Sequence, residues 1–493
     1  MKIAVVGSGI AGLACAVRLA ANKHDVYVFE KNEFPGGKLS EFNIDGFRFD
    51  AGPSLLATPF LIDELFELVQ KNPRDYFNYK KTQINCVYHY ADGTNLIAWH
   101  DKRTFANELK EKLNVDNPNI FFDFLKQAEF NYNLTAPLFI EQSLHKLKNY
   151  LNFKTLKGIF FAYKLHVFKT LNQLHKQKFN NPKLVQYFNR FATYNGSNPY
   201  KAPGLLHVIA HLEHYFGSYI PQKGMYSITN SIYNLAKDLG VKFYFKHQVN
   251  EIKYNYLKGK KQITGIVVNN NFIEFDAVLS NADIYFTYKN LLPNEQLPEK
   301  IISQEKSSSA LIFYWGIKKQ FNNLDLHNIF FSADYETEFD YIFNKKQVFA
   351  DPTVYINITS KYVDGDAPQG CENWFVMINV PNNSGQNWDE IIKISRQNIL
   401  NKLSNLLGEP IEPLIVCEHL LEPRSIESRT GSFAGALYGN ASNNRYAAFL
   451  RHKNFSDNIK GLYFCGGSVH PGGGIPLCLN SAKIVSQLIK EDY

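Results

Sequence analysis

The chain has 493 residues, of which 45% are hydrophobic and 15% aromatic, and its formal net charge is +7. Single hydrophobic cores stop growing below this length, so we expect two domains. The six cysteines lack C-x-x-C spacing, which argues against a disulfide framework or a zinc site, and no apolar run is long enough for a transmembrane helix.

The first predicted elements are a strand, a glycine-rich turn and a helix. The apolar strand 2–6 leads into the segment 7–12 (GSGIAG), and a helical pattern follows. This is G-x-G-x-x-G in the context that a dinucleotide requires, with a helix N-terminus that attracts phosphate. A second strand ends at Glu30, at about the distance along the sequence from the glycine motif at which a carboxylate binds the adenosine ribose. A carboxylate at that position would repel the extra phosphate of NADP, so NADP is disfavoured. Glycines also occur in turns that bind no ligand. Here, however, the strand, the helix, the second strand and the acidic residue all match the dinucleotide-binding pattern.

Segments after Glu30 and near the C-terminus favour FAD over NAD. The order GG-[RK] at 36–38 and then D-x-G at 50–52 is typical of many flavoprotein oxidases and desaturases. At the other end, the strand 461–465 runs into a glycine cluster and then a helix that continues to about residue 489. The N-terminus of this helix can face the flavin phosphate or ribityl chain.

Four segments together carry a family resemblance. PGGK (35–38), GFRFDAGPS (46–54), VLSNAD (278–283) and FCGGSVHPGGGIP (464–476) resemble the bacterial-type carotenoid desaturases, that is, phytoene desaturase and its relatives. Within that family the chain is most similar to the 1-hydroxycarotenoid 3,4-desaturases. It departs from the family where Leu477 and Cys478 follow GIP, since GIPG is more frequent there.

The resemblance implies an FAD-dependent enzyme that introduces a C3–C4 double bond into an acyclic 1-hydroxylated carotenoid by hydride transfer to the flavin. Oxygen or a quinone would be the final electron acceptor. Two alternatives stay open: another carotenoid desaturase or isomerase, such as phytoene desaturase, and a non-catalytic isoprenoid-binding escort on the same fold.

The residues that the resemblance assigns to FAD come from both glycine-rich units, the loops after Glu30, the VLSNAD segment and one strand residue whose backbone contacts adenine. They are Gly7, Ser8, Gly9, Ile10, Ala11, Gly12, Glu30, Lys31, Gly37, Lys38, Leu39, Pro53, Ser54, Leu55, Val249, Asn281, Asp283, Gly467, Ser468, Gly474, Ile475 and Pro476.

Catalytic residues are harder to predict, because a long polyene itself stabilises the charge left by hydride loss. The candidates for a base are His470, Glu213 and His211, and structural roles are the alternative for each of them. His207 and His211 share a helical face, but a metal site would need a third ligand. Candidate anchors for the substrate hydroxyl are Tyr194, Asn195 and Ser197.

The segment between Glu141 and Glu213 contains no acidic residue, and lysines there interleave with apolar runs such as Gly158–Tyr163. This pattern predicts a basic amphipathic helix on an anionic membrane surface, with a solvated lobe as the alternative.

Nucleic acid is not an expected partner, because no recognition module appears. Because the first strand starts at Lys2, we expect no signal peptide and a cytoplasmic protein, peripherally bound to the inner face of the cell membrane.

These elements predict an α/β fold in three parts. A Rossmann-like FAD-binding domain would be assembled discontinuously from residues 1–95, 221–285 and 425–493. Residues 96–220 would form a helical, basic, membrane-facing lobe, and residues 286–424 an inserted α+β substrate-binding sheet domain.

Overall fold

The computed structural model describes residues 1–150, 165–447 and 449–493. The predicted amphipathic run at 158–163 lies outside these residues. The strands are β1 Lys2–Val6, β2 Asp25–Phe29, β3 Glu41–Ile44, β4 Phe47–Asp50, β5 Tyr79–Lys81, β6 Ile84–His89, β7 Asn95–Trp99, β8 Tyr219–Pro221, β9 Lys242–Tyr244, β10 Val249–Leu257, β11 Lys260–Val268, β12 Asn271–Glu274, β13 Ala277–Ser280, β14 Ser309–Ile317, β15 His327–Phe330, β16 Val354–Ile358, β17 Glu372–Val380, β18 Ile415–Leu421, β19 Ile459–Lys460 and β20 Leu462–Phe464.

The longer α-helices connect these strands and cover the sheets. They are Ile10–Ala21, Phe60–Glu67, Lys102–Leu113, Asn119–Phe139, Leu171–Lys178, Pro182–Asn189, Tyr226–Asp238, Tyr335–Asp340, Trp388–Leu407, Pro423–Thr430 and Ile475–Asp492. No helix among the described residues is both long and apolar enough to cross a membrane.

The first sheet is parallel and has the order β20-β13-β1-β2-β9. The chain leaves β1 toward β2 and β9 on one side and returns to β13 and β20 on the other. Helices Ile10–Ala21 and Ile475–Asp492 pack against each other on this sheet, where Cys15 Sγ lies 3.6 Å from the Ala482 carbonyl oxygen. Strands from both chain termini and from the middle therefore share one sheet, which confirms the predicted Rossmann-like α/β class.

The second sheet has the order β18-β14-β17-β16-β15-β6-β7. Every residue of β14 is buried, because each face of the strand is covered by a different layer. Leu311, Phe313 and Trp315 pack in the cluster that includes helix Trp388–Leu407. Ile312 and Tyr314 point the other way and pack against the β3–β4 hairpin.

The predicted domain boundary at residue 95 coincides with the start of β7. β7 and β6 form a hairpin in the second sheet. β6 pairs in parallel with β15, and the rings of Tyr88 and Phe331 stack with centroids 5.7 Å apart. The hairpin buries its apolar residues there, so it belongs with the second sheet. The domain division stays a prediction.

Candidate functional site

The candidate site lies at the carboxyl edge of the parallel sheet, where β1 and β13 adjoin. Val6 at the end of β1 pairs with Phe29 at the end of β2 and with Ser280 at the end of β13, which pairs with Phe464 of β20. The loops after these strands therefore meet at one edge. Ligands of open parallel sheets bind in the crevice at such a switch in strand order.

The first glycine loop is tightly packed around its own backbone. Gly7 adopts φ +96°, which side chains rarely tolerate, and its N–H donates to the Phe29 carbonyl at 2.8 Å. A Cβ on Gly12 would lie 2.3 Å from the Gly7 carbonyl oxygen. Ile10 and Ala11 form the first turn of the following helix, whose N-cap, Gly9, provides no side-chain cap. The amides of that turn are therefore left for a ligand or solvent.

Asn281 connects this loop to the C-terminal glycine cluster. Its backbone N–H donates to the Val6 carbonyl at 2.8 Å, and its side-chain Nδ2 donates to the Cys465 carbonyl at 3.1 Å. A Cβ on Gly9 or on Gly12 would lie 2.8 or 2.9 Å from Asn281 Oδ1. The glycines thus leave room for one amide side chain between the two loops. The sequence placed Asn281 at the site but did not indicate this role.

Glu30 is held at the edge of the crevice by the first loop. Its Oε2 accepts hydrogen bonds from the backbone N–H and the hydroxyl of Ser8, both at 2.8 Å, and its Oε1 accepts from the Asn32 N–H at 3.0 Å. The carboxylate is fixed where β2 ends. This is the position from which an acidic residue reaches the ribose of a bound dinucleotide.

Gly37, Leu39 and Val249 come from other segments of the chain, and Gly37 lies against the first loop. A Cβ on Gly37 would lie 3.4 Å from Cα of Gly9. Leu39 is buried in the core beneath the first sheet. Val249 belongs to a buried cluster that also contains Val6, the last residue of β1.

The predicted residues of the C-terminal cluster lie at the start of helix Ile475–Asp492. Gly474 is the N-cap, provides no side-chain cap, and has no atom within 4 Å of the position that a Cβ would take. Pro476 occupies the first helical turn beside Ile475. Ser468, which follows Gly467, accepts a hydrogen bond through its hydroxyl from the Ile284 N–H at 2.9 Å.

Two partly buried charges lie near these loops. The Lys38 ammonium donates to the carbonyls of Leu437 at 2.7 Å and Ala436 at 3.2 Å, and burial lowers the pKa of Lys38. Burial raises the pKa of the nearby Asp283, whose Oδ1 accepts from the Tyr285 N–H at 2.9 Å. Each charge favours the ionised form of the other, so the pair keeps both charges in a partly dry region.

Lys306 is a third charge in this region that no sequence motif indicated. Its ammonium donates to Asn440 Oδ1 at 2.7 Å. Burial lowers the pKa of Lys306 to about 8, and the carboxylate of Asp283 partly opposes that shift. Only the fold brings it near Asp283, because it precedes β14 in a serine-rich stretch with no recognisable pattern.

Lys31 and Ser54 contact other parts of the chain. Lys31 is exposed and its ammonium donates to the Ser428 carbonyl at 3.0 Å. The Ser54 hydroxyl, between the partly buried Pro53 and Leu55, lies 2.8 Å from the Tyr355 hydroxyl. That hydroxyl is also 2.8 Å from His327 Nδ1. A hydrogen-bonded chain thus runs from the predicted FAD loop into the second sheet.

These features fit a phosphate-bearing dinucleotide. Two helices without side-chain caps begin at this edge, one after each glycine loop, and helix N-termini with free amides bind phosphate. Glu30 would hold the ribose, and Lys38 adds positive charge beside the loops. The glycine loops, Glu30, Lys38 and Asn281 are therefore the residues that would hold the cofactor.

The three predicted candidates for a base have different surroundings. His470 is 1% exposed, and its Nε2 donates to the Gln142 carbonyl at 2.8 Å. The carboxylate of Glu213 accepts from Arg190. The ring of His211 stacks on that of Tyr215 with centroids 4.8 Å apart.

The histidines near residue 210 form hydrogen bonds rather than a metal site. His207 Nδ1 lies 2.6 Å from the Gly204 carbonyl oxygen, and His214 Nε2 lies 2.8 Å from the Tyr187 hydroxyl. Across residues 1–150, 165–447 and 449–493, no group of three or more metal-ligating side chains could hold an ion.

A discontinuous parallel sheet with two glycine loops at its switch point defines a dinucleotide-binding oxidoreductase. The comparisons with known proteins agree. Residues 10–490 match the family model for flavin containing amine oxidoreductases. The chain belongs to this family, and the predicted flavin cofactor and oxidoreductase class are confirmed.

Curated relatives cover the whole chain. It is 49% identical over 488 residues, 99% of each protein, to a 1-hydroxycarotenoid 3,4-desaturase of Flavobacterium sp. (strain P99-3). It is 32% identical over 505 residues to a 4,4'-diapophytoene desaturase (4,4'-diaponeurosporene-forming) of Staphylococcus haemolyticus (strain JCSC1435), covering 100% of this chain and 99% of that one. The predicted resemblance is confirmed.

Solved structures share the fold at lower identity. An oxidoreductase from Methanosarcina mazei has a TM-score of 0.64 at 14% identity, with all of both chains covered. Cyclohexylamine oxidase from Brevibacterium oxydans IH-35A has a TM-score of 0.62 at 13% identity, covering 99% of this chain and 98% of that one.

Replacing Gly12 with alanine should release the flavin. The new Cβ would lie 2.3 Å from the Gly7 carbonyl oxygen and 2.9 Å from Asn281 Oδ1, so the loop must open. We expect purified Gly12→Ala protein to have much less flavin absorbance per protein than wild type. Gly240→Ala is the control: its φ of +82° makes alanine costly by about 1 kcal/mol, but nothing lies near the new Cβ. Equal flavin content in both variants would contradict this geometry.

Stability should fall in mild acid. Burial lowers the pKa of His470 to about 4, whereas an unfolded histidine titrates near pH 6.5. The unfolded state therefore binds more protons between these values. The contribution of His470 to stability is complete above about pH 6.5 and declines toward pH 4, by about 1.4 kcal/mol per pH unit.

Urea unfolding at about pH 5 and about pH 7.5 measures this dependence. His470→Gln keeps an amide donor near the position of Nε2 for the Gln142 carbonyl but does not titrate. The decline in the free energy of unfolding with falling pH should therefore be shallower in this variant, by close to one proton. An unchanged slope in this variant would show that His470 does not contribute.

Proposed function

We propose that this protein is an FAD-dependent desaturase that introduces a C3–C4 double bond into an acyclic 1-hydroxylated carotenoid. The observation that carries the proposal is 49% identity over 99% of the chain to a relative with that activity in its name. The complete pair of glycine loops supports catalysis rather than an escort role, because a carrier of isoprenoids has no use for a dinucleotide site.

The aromatic interior of the helical segment supports an apolar substrate. Phe105, Phe121, Tyr187 and Phe188 are almost fully buried and pack in one cluster with Tyr88 of the second sheet. A site lined by such side chains would exclude water and hold a long apolar chain in a fixed position. A bound flavin supplies the chemistry, because it accepts a hydride from the substrate. The chain itself has to position the substrate and take up a proton.

Of the three candidates, we propose His470 as the base. It lies within the C-terminal glycine cluster, and its Nε2–H is fixed on the Gln142 carbonyl. Its Nδ1 is buried and has no hydrogen-bond partner among the described residues. The lowered pKa keeps the ring neutral near pH 7. A weak base suffices, since a C–H bond next to a polyene cation is strongly acidic.

We also propose that the enzyme works in the cytoplasm at the inner face of the cell membrane, with oxygen or a quinone as electron acceptor. An exposed aromatic patch supports this location. Its members are Phe168, Tyr446, Phe449 and Leu450, which are 83%, 52%, 46% and 39% exposed. The Arg445 guanidinium lies 5.4 Å from the Phe168 ring centroid and 4.9 Å from that of Tyr446. Exposed aromatic rings beside a cation suit an anionic lipid surface.

Substrate preference tests the reaction. Purified holoenzyme should convert a 1-hydroxylated acyclic carotenoid to its 3,4-didehydro product and leave phytoene unchanged, as measured by chromatography and absorbance. Conversion of phytoene alone would overturn the proposed substrate. Protein that purifies colourless and cannot be reconstituted with FAD would favour the escort alternative.

Liposome flotation tests the location. Wild-type protein should float with anionic vesicles more than with zwitterionic ones, and less at high salt. Phe168→Ser/Phe449→Ser should reduce flotation, because it removes apolar area from the patch. The matched control is Tyr256→Ser/Phe272→Ser, which alters residues of β10 and β12 that are 71% and 56% exposed. Equal flotation of the two double variants would exclude the patch, and equal recovery with both lipids would exclude the electrostatic part.

A further inference from the structure

A charged pair is buried among aromatic rings in the helical segment. Arg190 and Glu213 are 6% and 2% exposed, and Arg190 Nη2 donates to Glu213 Oε2 at 3.1 Å. The Tyr194 hydroxyl donates to the same oxygen and accepts from Arg190 Nη2 at 2.9 Å. The guanidinium also lies 5.2 Å from the ring centroid of Tyr88 and 4.9 Å from that of Phe191.

This pair is incompletely hydrogen-bonded. Arg190 Nε and Glu213 Oε1 are buried and have no partner within residues 1–150, 165–447 and 449–493. Buried polar atoms are nearly always paired with protein, ordered water or ligand, and charged ones are the most costly to leave unpaired. A bidentate pair would satisfy both atoms, but here a single oxygen of Glu213 takes both hydrogen bonds. One donor and one acceptor are therefore left together.

An alcohol matches these two atoms. Its oxygen can accept from Arg190 Nε, and its O–H can donate to Glu213 Oε1. In a guanidinium, the Nε–H bond and one of the terminal N–H bonds point to the same side. A hydroxyl group bound beside Arg190 Nη2 can therefore also reach Arg190 Nε. An apolar chain end offers neither a donor nor an acceptor.

The pair adjoins the part of the second sheet that is connected to the predicted FAD loop. Tyr88, under the guanidinium, lies on β6, and β6 pairs with β15, which carries His327. His327 is bonded to Tyr355, and Tyr355 to Ser54. Burial and the charge of Arg190 both lower the pKa of His327. In a 1-hydroxylated substrate only C2 separates the hydroxyl-bearing carbon from the reacting C3–C4 pair, so its anchor must lie close to the cofactor.

We propose that Arg190 and Glu213 bind the hydroxyl group at the end of the carotenoid and so select hydroxylated substrates. This inference rests on the proposed function and names the side chains that recognise the end group. Tyr194, predicted as an anchor, contributes by fixing the Glu213 carboxylate. Ser197 is committed elsewhere, since its hydroxyl accepts from the Ser442 N–H at 2.8 Å.

A double variant tests the proposal. Arg190→Met/Glu213→Leu replaces the pair by apolar side chains of similar size, which buried pairs usually tolerate. The matched control is Lys261→Met/Glu295→Leu. This ion pair is joined at 2.6 Å, and its carboxylate likewise accepts a tyrosine hydroxyl, from Tyr254. Flavin content and circular dichroism check that both holoenzymes are folded.

Two quantities are measured with a 1-hydroxylated carotenoid and with the same carotenoid lacking the hydroxyl. The first is kcat/KM, and the second is Kd for dithionite-reduced holoenzyme, which cannot accept a hydride. We expect the preference for the hydroxylated substrate to fall roughly 100-fold or more in both quantities, because sites that bond a hydroxyl discriminate strongly against analogues without it. Because the unmet hydrogen bonds of the pair penalise an apolar chain end, kcat/KM for the non-hydroxylated carotenoid should rise in the double variant. Both properties of the control should stay near wild type.

Other outcomes would overturn the proposal in distinguishable ways. If kcat/KM fell equally for both substrates while Kd was unchanged, Glu213 would be a base or the pair would be purely structural. A retained preference would mean that ordered water satisfies the two atoms. Conversion of neither carotenoid by wild type would overturn the proposed function and this inference together.

If the double variant does not fold, Glu213→Gln provides the same test. It keeps the shape of the side chain but puts an amide donor where the substrate hydroxyl needs an acceptor. The preference for the hydroxylated substrate should then fall about 10-fold, and an unchanged preference would again contradict the proposal.

Discussion

The position of β13 between β1 and β20 is the constraint on which the site depends. Parallel pairing brings the loops after three distant strands to one edge, and Asn281 then fills the space between the glycine loops with a single amide. Any side chain on Gly9 or Gly12 would compete with that amide for space. The glycines therefore serve two purposes at once: they let a phosphate approach the backbone, and they let the two loops approach each other.

The second sheet is joined to this edge through the β3–β4 hairpin. Arg48 of β4 donates to Asp366 at 2.7 Å and to Asp50 at 3.0 Å, while Asp50 accepts from the backbone N–H of Met225 at 2.9 Å. One guanidinium thus links the second sheet to the start of a helix that covers the first. Because the Ser54 loop follows β4 directly, this network also fixes the loop from which the hydrogen bonds to Tyr355 and His327 begin.

The sequence was sufficient to predict the two strand–glycine–helix units and insufficient for the charged groups that the fold brings together. Glycine spacing, Glu30 and the strand–glycine–helix unit at the C-terminus are local patterns. Local patterns can be recognised in the sequence without knowledge of the fold. Lys306 and Arg190 are single residues whose partners come from other parts of the chain. The β6–β7 hairpin is a similar case, since only long-range pairing with β15 decides which sheet a short strand joins.

Recognition of a carotenoid poses an unusual problem, because almost all of the substrate is apolar. An apolar pocket discriminates one methylene by only about 1–3 kcal/mol, and it rejects an added hydroxyl weakly. A buried polar pair reverses this balance: its unmet hydrogen bonds make every apolar end group costly, while a hydroxyl removes that cost. Specificity in such a site is therefore set by a few polar atoms in the lining, and Arg190 with Glu213 provides a donor and an acceptor of this kind.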